Sequence, residues 1–282
     1  MHYPVLLNEC LDYLALRPEG TYLDATSGLG GHTAAIAARL TTGRVIAADR
    51  DAESLERARA NTAAHADRIE FVHVRFSQLR RAVGGPVDGL LADLGVSRYQ
   101  LTTPERGFSL MAEGPVDMRM DRSRGRPAAD IVNYAPEKEL ADLLFYLGEE
   151  RRSRRISRAI VRARPIRDTL HLARVIEGAV PRTGAIHPAT RTFMALRMAV
   201  NDEMGELDAL LDSVPHLVKP GGRVVFLTFM SLEDRKVKQA FQALARAGQA
   251  VILTRHVVTP SEEEIRNNPP SRSAKLRAIE MR

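Results

Sequence analysis

The feature that most constrains the fold is an alternation of short apolar runs with helical stretches over the first hundred residues. Four runs read as strands, at residues 21–24, 44–49, 69–74 and 87–93. Strand signals return late in the chain, at residues 223–229, 250–258 and 274–281. Near-continuous apolar strands separated by helices are typical of a parallel sheet covered on both faces. The sequence therefore predicts an α/β fold.

The alternation of strand and helix patterns is interrupted between the two sets of strands. Residues 94–127 are rich in Gly, Pro, Arg and Met without a clear period, and residues 128–180 have helical periodicity. The simplest interpretation is a discontinuous core, residues 1–104 and 189–282, interrupted by an inserted helical domain at 105–188.

Positive charge is concentrated in that insertion. The chain has 41 Lys and Arg against 35 Asp and Glu, a formal charge of +6. Residues 151–182 hold ten arginines and two acids, a local charge of +8 that leaves −2 for the rest. One helical face of this segment consists of Arg151, Arg155, Arg158 and Arg162. Such a patch favours a polyanionic partner, most often nucleic acid, over the alternative of a solvated helix face.

Several classes of protein are excluded. One cysteine, Cys10, permits no internal disulfide framework and no cysteine-rich zinc site. Eight scattered histidines lack ligand spacing, so we expect no metal. No apolar run approaches the roughly 18 residues that cross a bilayer, and the start lacks the features of a secretion signal. These patterns indicate a reduced, cytoplasmic protein.

A glycine-rich turn follows the first strand. It carries Gly28, Gly30 and Gly31, and Asp49 ends the next strand, 19 residues after Gly30. Glycine allows the backbone to approach a ligand closely, and an acid at that place can accept hydrogen bonds from ribose hydroxyls. This combination favours a nucleoside cofactor over an ordinary strand–turn–helix connection with a capping acid.

Two cofactors compete for this turn. A dinucleotide fingerprint needs a third glycine where the chain has Thr33, which counts against a nicotinamide dehydrogenase. The S-adenosylmethionine pattern places an acid before a G-x-G turn, and Asp24, Gly28 and Gly30 match it. Pro220-Gly221-Gly222 before a late strand is also common in methyltransferases that use this cofactor.

The chain resembles one family nearly end to end: the bacterial 16S ribosomal RNA cytosine-N4 methyltransferases (RsmH, also called MraW). The segments that carry the resemblance are His2-Tyr3-Pro4-Val5-Leu6-Leu7-Asn8-Glu9, Gly30-Gly31-His32-Thr33, Asp49-Arg50-Asp51, Asp93-Leu94-Gly95-Val96-Ser97, Glu105-Arg106-Gly107-Phe108-Ser109, Gly114-Pro115-Val116-Asp117-Met118-Arg119-Met120-Asp121, His187-Pro188-Ala189-Thr190-Arg191, Ser231-Leu232-Glu233-Asp234-Arg235 and Asn268-Pro269-Pro270-Ser271-Arg272-Ser273.

The resemblance implies a fold, a cofactor and a substrate. The fold would be a class I, Rossmann-like S-adenosylmethionine-dependent methyltransferase sheet with an inserted helical domain. The substrate would be a cytidine of 16S ribosomal RNA, in the decoding region and within the small ribosomal subunit. The residues that would contact the cofactor are Gly30, Gly31, His32, Asp49, Phe76, Asp93 and Gln100. Of these, Asp49 would bind the ribose and Phe76 would pack on the adenine. Phe76 as plain core and Gln100 as an exposed loop residue are the alternatives.

Methylation of an exocyclic amine needs acceptors for the amine hydrogens, and no motif settles which groups these are. We expect Asp93 and Asp117 to act there; for Asp117 a loop salt bridge with Arg119 or Arg122 is the alternative. The arginine face at 151–162 and Arg191 would position the RNA backbone, while His187 fits a structural cap equally well. The family usually has a histidine where this chain has Met230, and a serine where it has Arg98. A diverged, non-catalytic RNA-binding or ribosome-assembly factor is therefore the alternative function.

Overall fold

The structure is a computed structural model that describes residues 4–182 and 186–282, so His2 and Tyr3 of the first motif lie outside the described residues. The chain divides into two compact units. The sheet unit comprises residues 1–95 and 204–282, and the helical unit comprises residues 96–203. The insertion therefore begins earlier and ends later than the boundaries of 105 and 188 suggested by the sequence.

The sheet has seven strands in the order β3-β2-β1-β4-β5-β7-β6. The strands are β1 (Thr21–Asp24), β2 (Arg44–Asp49), β3 (Ile69–His73), β4 (Val87–Asp93), β5 (Val218–Thr228), β6 (Ala250–Ile252) and β7 (Lys275–Met281). The first five run parallel, whereas β7 is antiparallel to both β5 and β6. The carboxyl ends of β1, β2 and β4 consequently lie along one edge of the sheet.

Helices flank this sheet in the sheet unit. They are α1 (Leu7–Leu14), α2 (Gly31–Ala37), α3 (Ala52–Asn61), α4 (Leu79–Ala82), α11 (Glu203–Leu217), α12 (Ser231–Arg246) and α13 (Glu262–Asn267). Asp51 caps α3 by accepting the backbone N–H groups of Glu53 and Ser54.

Alternate strand residues pack into two separate apolar clusters, one on each face of the sheet. Leu23, Leu90 and Phe226 pack in the cluster that contains side chains of α11 and α12. Tyr22 and Leu91 pack in the cluster that contains side chains of α1 and α2. The near-continuous apolar runs of the sequence thus reflect strands buried on both sides.

The helical unit contains α5 (Arg98–Thr102), α6 (Ala128–Tyr134), α7 (Glu137–Tyr146), α8 (Ser153–Arg162), α9 (Thr169–Ala179) and α10 (Thr190–Val200). Its own core includes Ile156 and Ile160 of α8, both fully buried, and Leu196 of α10. Because α10 contributes to this core, it groups with the insertion and not with the sheet. No helix within the described parts of the chain is long and apolar enough to span a membrane.

Candidate functional site

Three acids end neighbouring parallel strands at the same edge of the sheet. Asp24 ends β1, Asp49 ends β2 and Asp93 ends β4. Burial raises the pKa of Asp24 and of Asp49 to about 6. Burial, together with the charges of Asp24 and Glu233, raises the pKa of Asp93 to about 8. Groups with such raised pKa values cluster at functional sites more often than elsewhere.

The glycine turn lies against the second of these acids. Gly28 and Gly30 adopt left-handed backbone conformations, with φ of 52° and 86°. The N–H of Gly28 donates to Oδ2 of Asp49 at 2.8 Å. A Cβ on Gly30 would lie 2.7 Å from the side chain of Thr62, so both conformation and space require glycine there. The turn is therefore held in one shape before any ligand binds.

Asp49 and Asp24 differ in what surrounds their oxygens. Oδ1 of Asp49 accepts the N–H of Asp51 at 2.9 Å, so each Asp49 oxygen holds one backbone donor and keeps a further lone pair. Asp24 is fully buried and accepts the hydroxyl of Thr33 at 2.6 Å and the N–H of Thr26. Asp24 thus ties β1 to α2, while Asp49 retains acceptor capacity.

Asp93 has a side-chain oxygen that the described residues leave unsatisfied. Its Oδ1 atom is buried and has no hydrogen-bond partner within residues 4–182 and 186–282, although the side chain as a whole is 26% exposed. Its backbone N–H donates to Oγ1 of Thr26 at 2.6 Å. A buried acceptor without a partner is costly and rare in native proteins. Asp93 therefore presents a hydrogen-bond acceptor beside the glycine turn.

His32, in the first turn of α2, is buried against the third acid. Its Nδ1 atom lies 3.7 Å from Oδ2 of Asp93, and its Nε2 atom lies 3.1 Å from the carbonyl oxygen of Val5. Next to it, a Cβ on Gly31 would lie 2.7 Å from Cγ of Pro4. The segment that precedes α1 therefore lies directly on the Gly31-His32 pair.

Phe76 begins a single 3₁₀ turn after β3. Its ring is partly buried and packs on the apolar cluster of the sheet unit, and the following Ser77 is held by Glu206 through its N–H and its hydroxyl. A partly exposed ring next to the carboxyl edge fits both the adenine contact and the plain core alternative.

Two further predicted site residues, the cofactor contact Gln100 and the amine acceptor Asp117, belong to the helical unit. Gln100 is buried, which corrects the exposed-loop alternative; its side-chain oxygen accepts the N–H of Ser97 and completes a capping box on α5. Asp117 forms a bidentate ion pair with Arg119, at 2.7 and 3.0 Å, with Arg122 at 3.8 Å. Although burial opposes it, the hydrogen bonds from Arg119 keep the pKa of Asp117 below its ordinary value. This geometry is the salt-bridge alternative, and it disfavours Asp117 as a proton acceptor.

The predicted arginine face exists on α8 and just before it. Arg151, Arg155, Arg158 and Arg162 are exposed, and the apolar residues of α8 point the opposite way into the core. Arg158 lies 3.5 Å from Glu137 of α7. Arg191 is also exposed and donates to the carbonyl oxygen of Glu149 at 3.2 Å.

His187 takes the structural alternative. Its Nδ1 atom accepts the N–H of Ala189 just before α10, and its Nε2 atom lies 2.9 Å from Glu177. Within residues 4–182 and 186–282, no group of three or more His, Cys, Asp or Glu side chains is arranged to hold a metal ion.

Sequence reasoning missed three participants of the site. Thr26 holds the backbone of Asp93, Val5 contacts His32, and Glu233 accepts the N–H groups of Phe229 and Met230 at 3.1 Å. The signal for Glu233 was present, since a Glu three residues after a helix N-cap is typical of a capping box. Nothing local in the sequence announces the contact between Val5 and His32.

Comparison with known proteins gives a consistent result. Residues 1–282 match the family described as the MraW methylase family. A protein of Solibacter usitatus named ribosomal RNA small subunit methyltransferase H is 64% identical over the full length of both chains. A protein of the same name from Nostoc punctiforme is 48% identical and covers 99% of this chain and 93% of its own.

Among solved structures, a candidate rRNA-methylase from Clostridium thermocellum aligns over the whole of both chains with a TM-score of 0.52. The identity is 12%, so this likeness concerns the fold alone.

Proposed function

Since this chain belongs to the MraW methylase family, as its motifs predicted, we propose that it transfers a methyl group from S-adenosylmethionine to the exocyclic N4 amine of a cytidine in the decoding region of 16S ribosomal RNA. The observation that carries the proposal is the buried Oδ1 atom of Asp93 beside the glycine turn, an acceptor for which the described part of the chain supplies no partner. The fold is the predicted class I, Rossmann-like methyltransferase fold.

The residues of the turn fit S-adenosylmethionine. The left-handed Gly28 and Gly30 allow a ligand to approach the backbone, and the lone pairs left on Asp49 suit the two ribose hydroxyls. Gly31 and His32 follow at the start of α2, and we assign the partly exposed ring of Phe76 to the adenine. The cofactor supplies an electrophilic methyl group on a sulfonium, so the protein mainly has to align donor and acceptor.

Asp93 is the residue that we assign to the acceptor amine. The amine of cytosine is a weak nucleophile because its lone pair is delocalised into the ring. A hydrogen bond from the amine to Oδ1 of Asp93 would draw that lone pair out of conjugation and would satisfy the buried oxygen. Asp117 is less suited to this task because Arg119 already occupies both of its oxygens.

The helical unit supplies the surface for RNA. The arginine face of α8 matches phosphate charge, and phosphate contacts position RNA without reading its sequence. Three aromatic side chains on α6 and α7 are unusually exposed, Tyr134, Phe145 and Tyr146. Bases that have left their stack bind such rings, and the target cytidine must leave its stack or already be unpaired. The proposed partner is the small ribosomal subunit, which places the reaction in the cytoplasm.

The test is a methyl-transfer assay on small subunits that lack the modification, with digestion of the RNA and mass spectrometry of the nucleosides. We expect N4-methylcytidine, and a rate at least about 100-fold lower for Asp93→Asn, the lower range for loss of an acid–base group. Asp88→Asn is the matched control, since Asp88 lies on the same strand and pairs with Lys219.

Two results would contradict the proposal. Methylation of another atom or another nucleoside would refute the assigned chemistry. Binding of RNA and cofactor without any methylated nucleoside would favour the non-catalytic assembly factor, with Met230 and Arg98 as the first residues to revert.

A further inference from the structure

One set of contacts in the sheet unit is not used by the proposed function: it joins the segment before α1 to the candidate catalytic acid through His32. We call residues Pro4–Leu6 the N-terminal strap. The carbonyl oxygen of Val5 lies 3.1 Å from Nε2 of His32, and Nδ1 of His32 lies 3.7 Å from Oδ2 of Asp93. The imidazole therefore bridges the strap and the acid.

We propose that His32 is the proton-accepting partner of Asp93, and that the N-terminal strap, fastened by Glu264, is the element that positions it. This inference rests on the function proposed for Asp93. It gives the side chain of His32 a role in proton transfer beyond lining the cofactor site.

The strap fixes which nitrogen of His32 carries the hydrogen. A carbonyl oxygen can only accept, so the contact with Val5 requires a hydrogen on Nε2. In the neutral ring, Nδ1 then holds the lone pair, and this atom faces Asp93. The distance of 3.7 Å is longer than a hydrogen bond, but catalytic contacts in ligand-free sites are often long and tighten on binding.

Glu264 holds the strap in place. Oε1 of Glu264, on α13, accepts the N–H of Leu6 at 2.8 Å. Leu6 itself adopts a left-handed conformation with φ of 49°, which residues other than glycine rarely adopt. The hydrogen bond from the far end of the chain thus stabilises a backbone geometry that the strap would otherwise resist.

Acidic groups lie close to Asp93 within the described part of the chain. The carboxyl groups of Asp24 on β1 and Glu233 on α12 act on Asp93, and the thiol of Cys10 on α1, which burial keeps protonated, is near it as well. Glu9 on α1 and Glu264 on α13 act in turn on Cys10. Negative charge beside the ring of His32 favours its protonated form, while burial of the ring opposes that form.

The step balances as follows. Nδ1 of His32 takes the proton that the Asp93 carboxyl holds, which leaves a carboxylate. Methyl transfer forms the N4–carbon bond and breaks the sulfur–carbon bond, whose electron pair stays on sulfur. The amine nitrogen releases one proton, which the Asp93 carboxylate accepts. When the product leaves, His32 releases its proton to solvent and Asp93 keeps the proton from the amine, which restores the starting state with one proton released for each methyl group transferred. The raised pKa of Asp93 explains why such a partner is needed, because the isolated carboxyl would be largely protonated at pH 7.

The first experiment uses the ligand-free full chain and does not depend on activity. Nitrogen-15 NMR of the histidine rings, with His32→Gln to assign the signal, reports the tautomer and the titration of His32. We expect hydrogen on Nε2 and a titration midpoint that moves to lower pH in Asp93→Asn. Hydrogen on Nδ1, or a midpoint that ignores Asp93→Asn, would overturn the proposal.

The second experiment separates proton transfer from cofactor binding. In His32→Gln the side-chain amide can still donate to Val5 but cannot take a proton. We expect a kcat about 100-fold lower and an altered pH–rate profile, both measured at saturating S-adenosylmethionine, where a loss of cofactor affinity no longer limits the rate. Loss confined to cofactor affinity, or a wild-type kcat and pH profile, would refute the role of His32.

The strap has its own matched pair of variants. Glu264→Ala removes the acceptor for Leu6, and we expect a kcat about tenfold lower with the pH profile shifted in the direction of His32→Gln. Glu264→Gln keeps an acceptor oxygen and should restore the wild-type values. Equal behaviour of the two variants would remove the strap from the proposal. If the wild type does not methylate cytidine but the NMR titration of His32 still depends on Asp93, the proposed function is refuted, while the interaction between His32 and Asp93 is supported.

Discussion

At the scale of single residues, the buried carboxyl group of Asp93 makes the free energy of unfolding depend on pH. Its pKa is raised from 3.8 to about 8, so between these pH values the folded chain keeps a proton that the unfolded chain has lost. Unfolding then releases a proton, and the free energy of unfolding falls as pH rises. The stability that protonated Asp93 contributes to the folded chain is fully present below the ordinary pKa of 3.8 and is lost as the pH rises to about 8.

This cost can be measured with Asp93→Asn, which cannot ionise. One pKa unit corresponds to about 1.4 kcal/mol, and partial exposure reduces the effect, so we expect the variant to gain about 2 kcal/mol relative to wild type from pH 5 to pH 8. Urea unfolding at the two pH values measures it. In Asp88→Asn the difference from wild type should stay constant, because the pKa of Asp88 is lowered and its ionisation is complete by pH 5. A constant difference for Asp93→Asn would show that its carboxyl ionises freely in the folded chain.

The role proposed for Asp49 can be tested through the affinity for S-adenosylmethionine in the absence of RNA. Hydrogen bonds from two hydroxyls to a charged acceptor contribute about 1.5–3 kcal/mol each, with desolvation offsetting part of the sum, so Asp49→Asn should bind S-adenosylmethionine about 10- to 100-fold more weakly. Calorimetric titration without RNA measures this affinity. Asp51→Asn, two residues on, keeps the cap of α3 and should bind within about twofold of wild type. Unchanged affinity in Asp49→Asn would place the ribose elsewhere.

At the scale of elements, α8 combines a buried apolar face with an exposed arginine face. Neither Arg155 nor Arg162 forms an ion pair in the part of the chain that the structure describes. We expect Arg155→Gln with Arg162→Gln to weaken binding to the ribosomal RNA and to lower the slope of log K against log salt by about 1.5, since each lost phosphate contact removes about 0.7–0.9.

The control for α8 is Arg80→Gln with Arg81→Gln, two exposed arginines of α4 in the sheet unit. This pair removes the same charge from a different surface. A salt slope that falls equally in both double variants would show that net charge, and not the face of α8, governs the binding.

Strands that are short, apolar and bounded by turns were predictable: β1, β2 and β4 have the predicted bounds. The prediction for β6 was wrong, because the strand ends at Ile252 and only Val258 returns to the sheet through a single bridge. β5 starts five residues earlier than predicted, since Val218 pairs with Val87 across a register shift at Gly89. Pairing partners decide such bounds, and they lie far away in the sequence.

The same reason limits the prediction of the site. Asp49 and the glycines were found because a turn and a strand end are local patterns. The ion pair of Asp117 with Arg119 was only one of two alternatives, because the sequence does not show which way a loop carboxylate points. The link from Glu264 through Leu6 and Val5 to His32 joins residues more than 250 positions apart, which no spacing pattern reveals.

At the scale of the whole molecule, the predicted cofactor residues and the predicted RNA residues fall in different units. All predicted cofactor residues except Gln100 belong to the sheet unit, whereas the arginines belong to the helical unit. Ligands should therefore protect different parts of the chain from hydrogen exchange, since an amide exchanges more slowly when binding stabilises its hydrogen bond.

We expect S-adenosylmethionine to slow exchange in the turn at 25–31 and at the ends of β2 and β4, and RNA to slow it in α8. Mass spectrometry of peptides from the full chain, alone and with each ligand, measures both patterns. Asp49→Asn should lose the first pattern and keep the second, which separates the two ligands in one protein. Protection of α5 by the cofactor would support the assignment of Gln100, and its absence would leave Gln100 as the capping residue that holds Ser97. Protection of α8 by the cofactor alone would contradict the division, because α8 would then respond to a ligand assigned to the other unit.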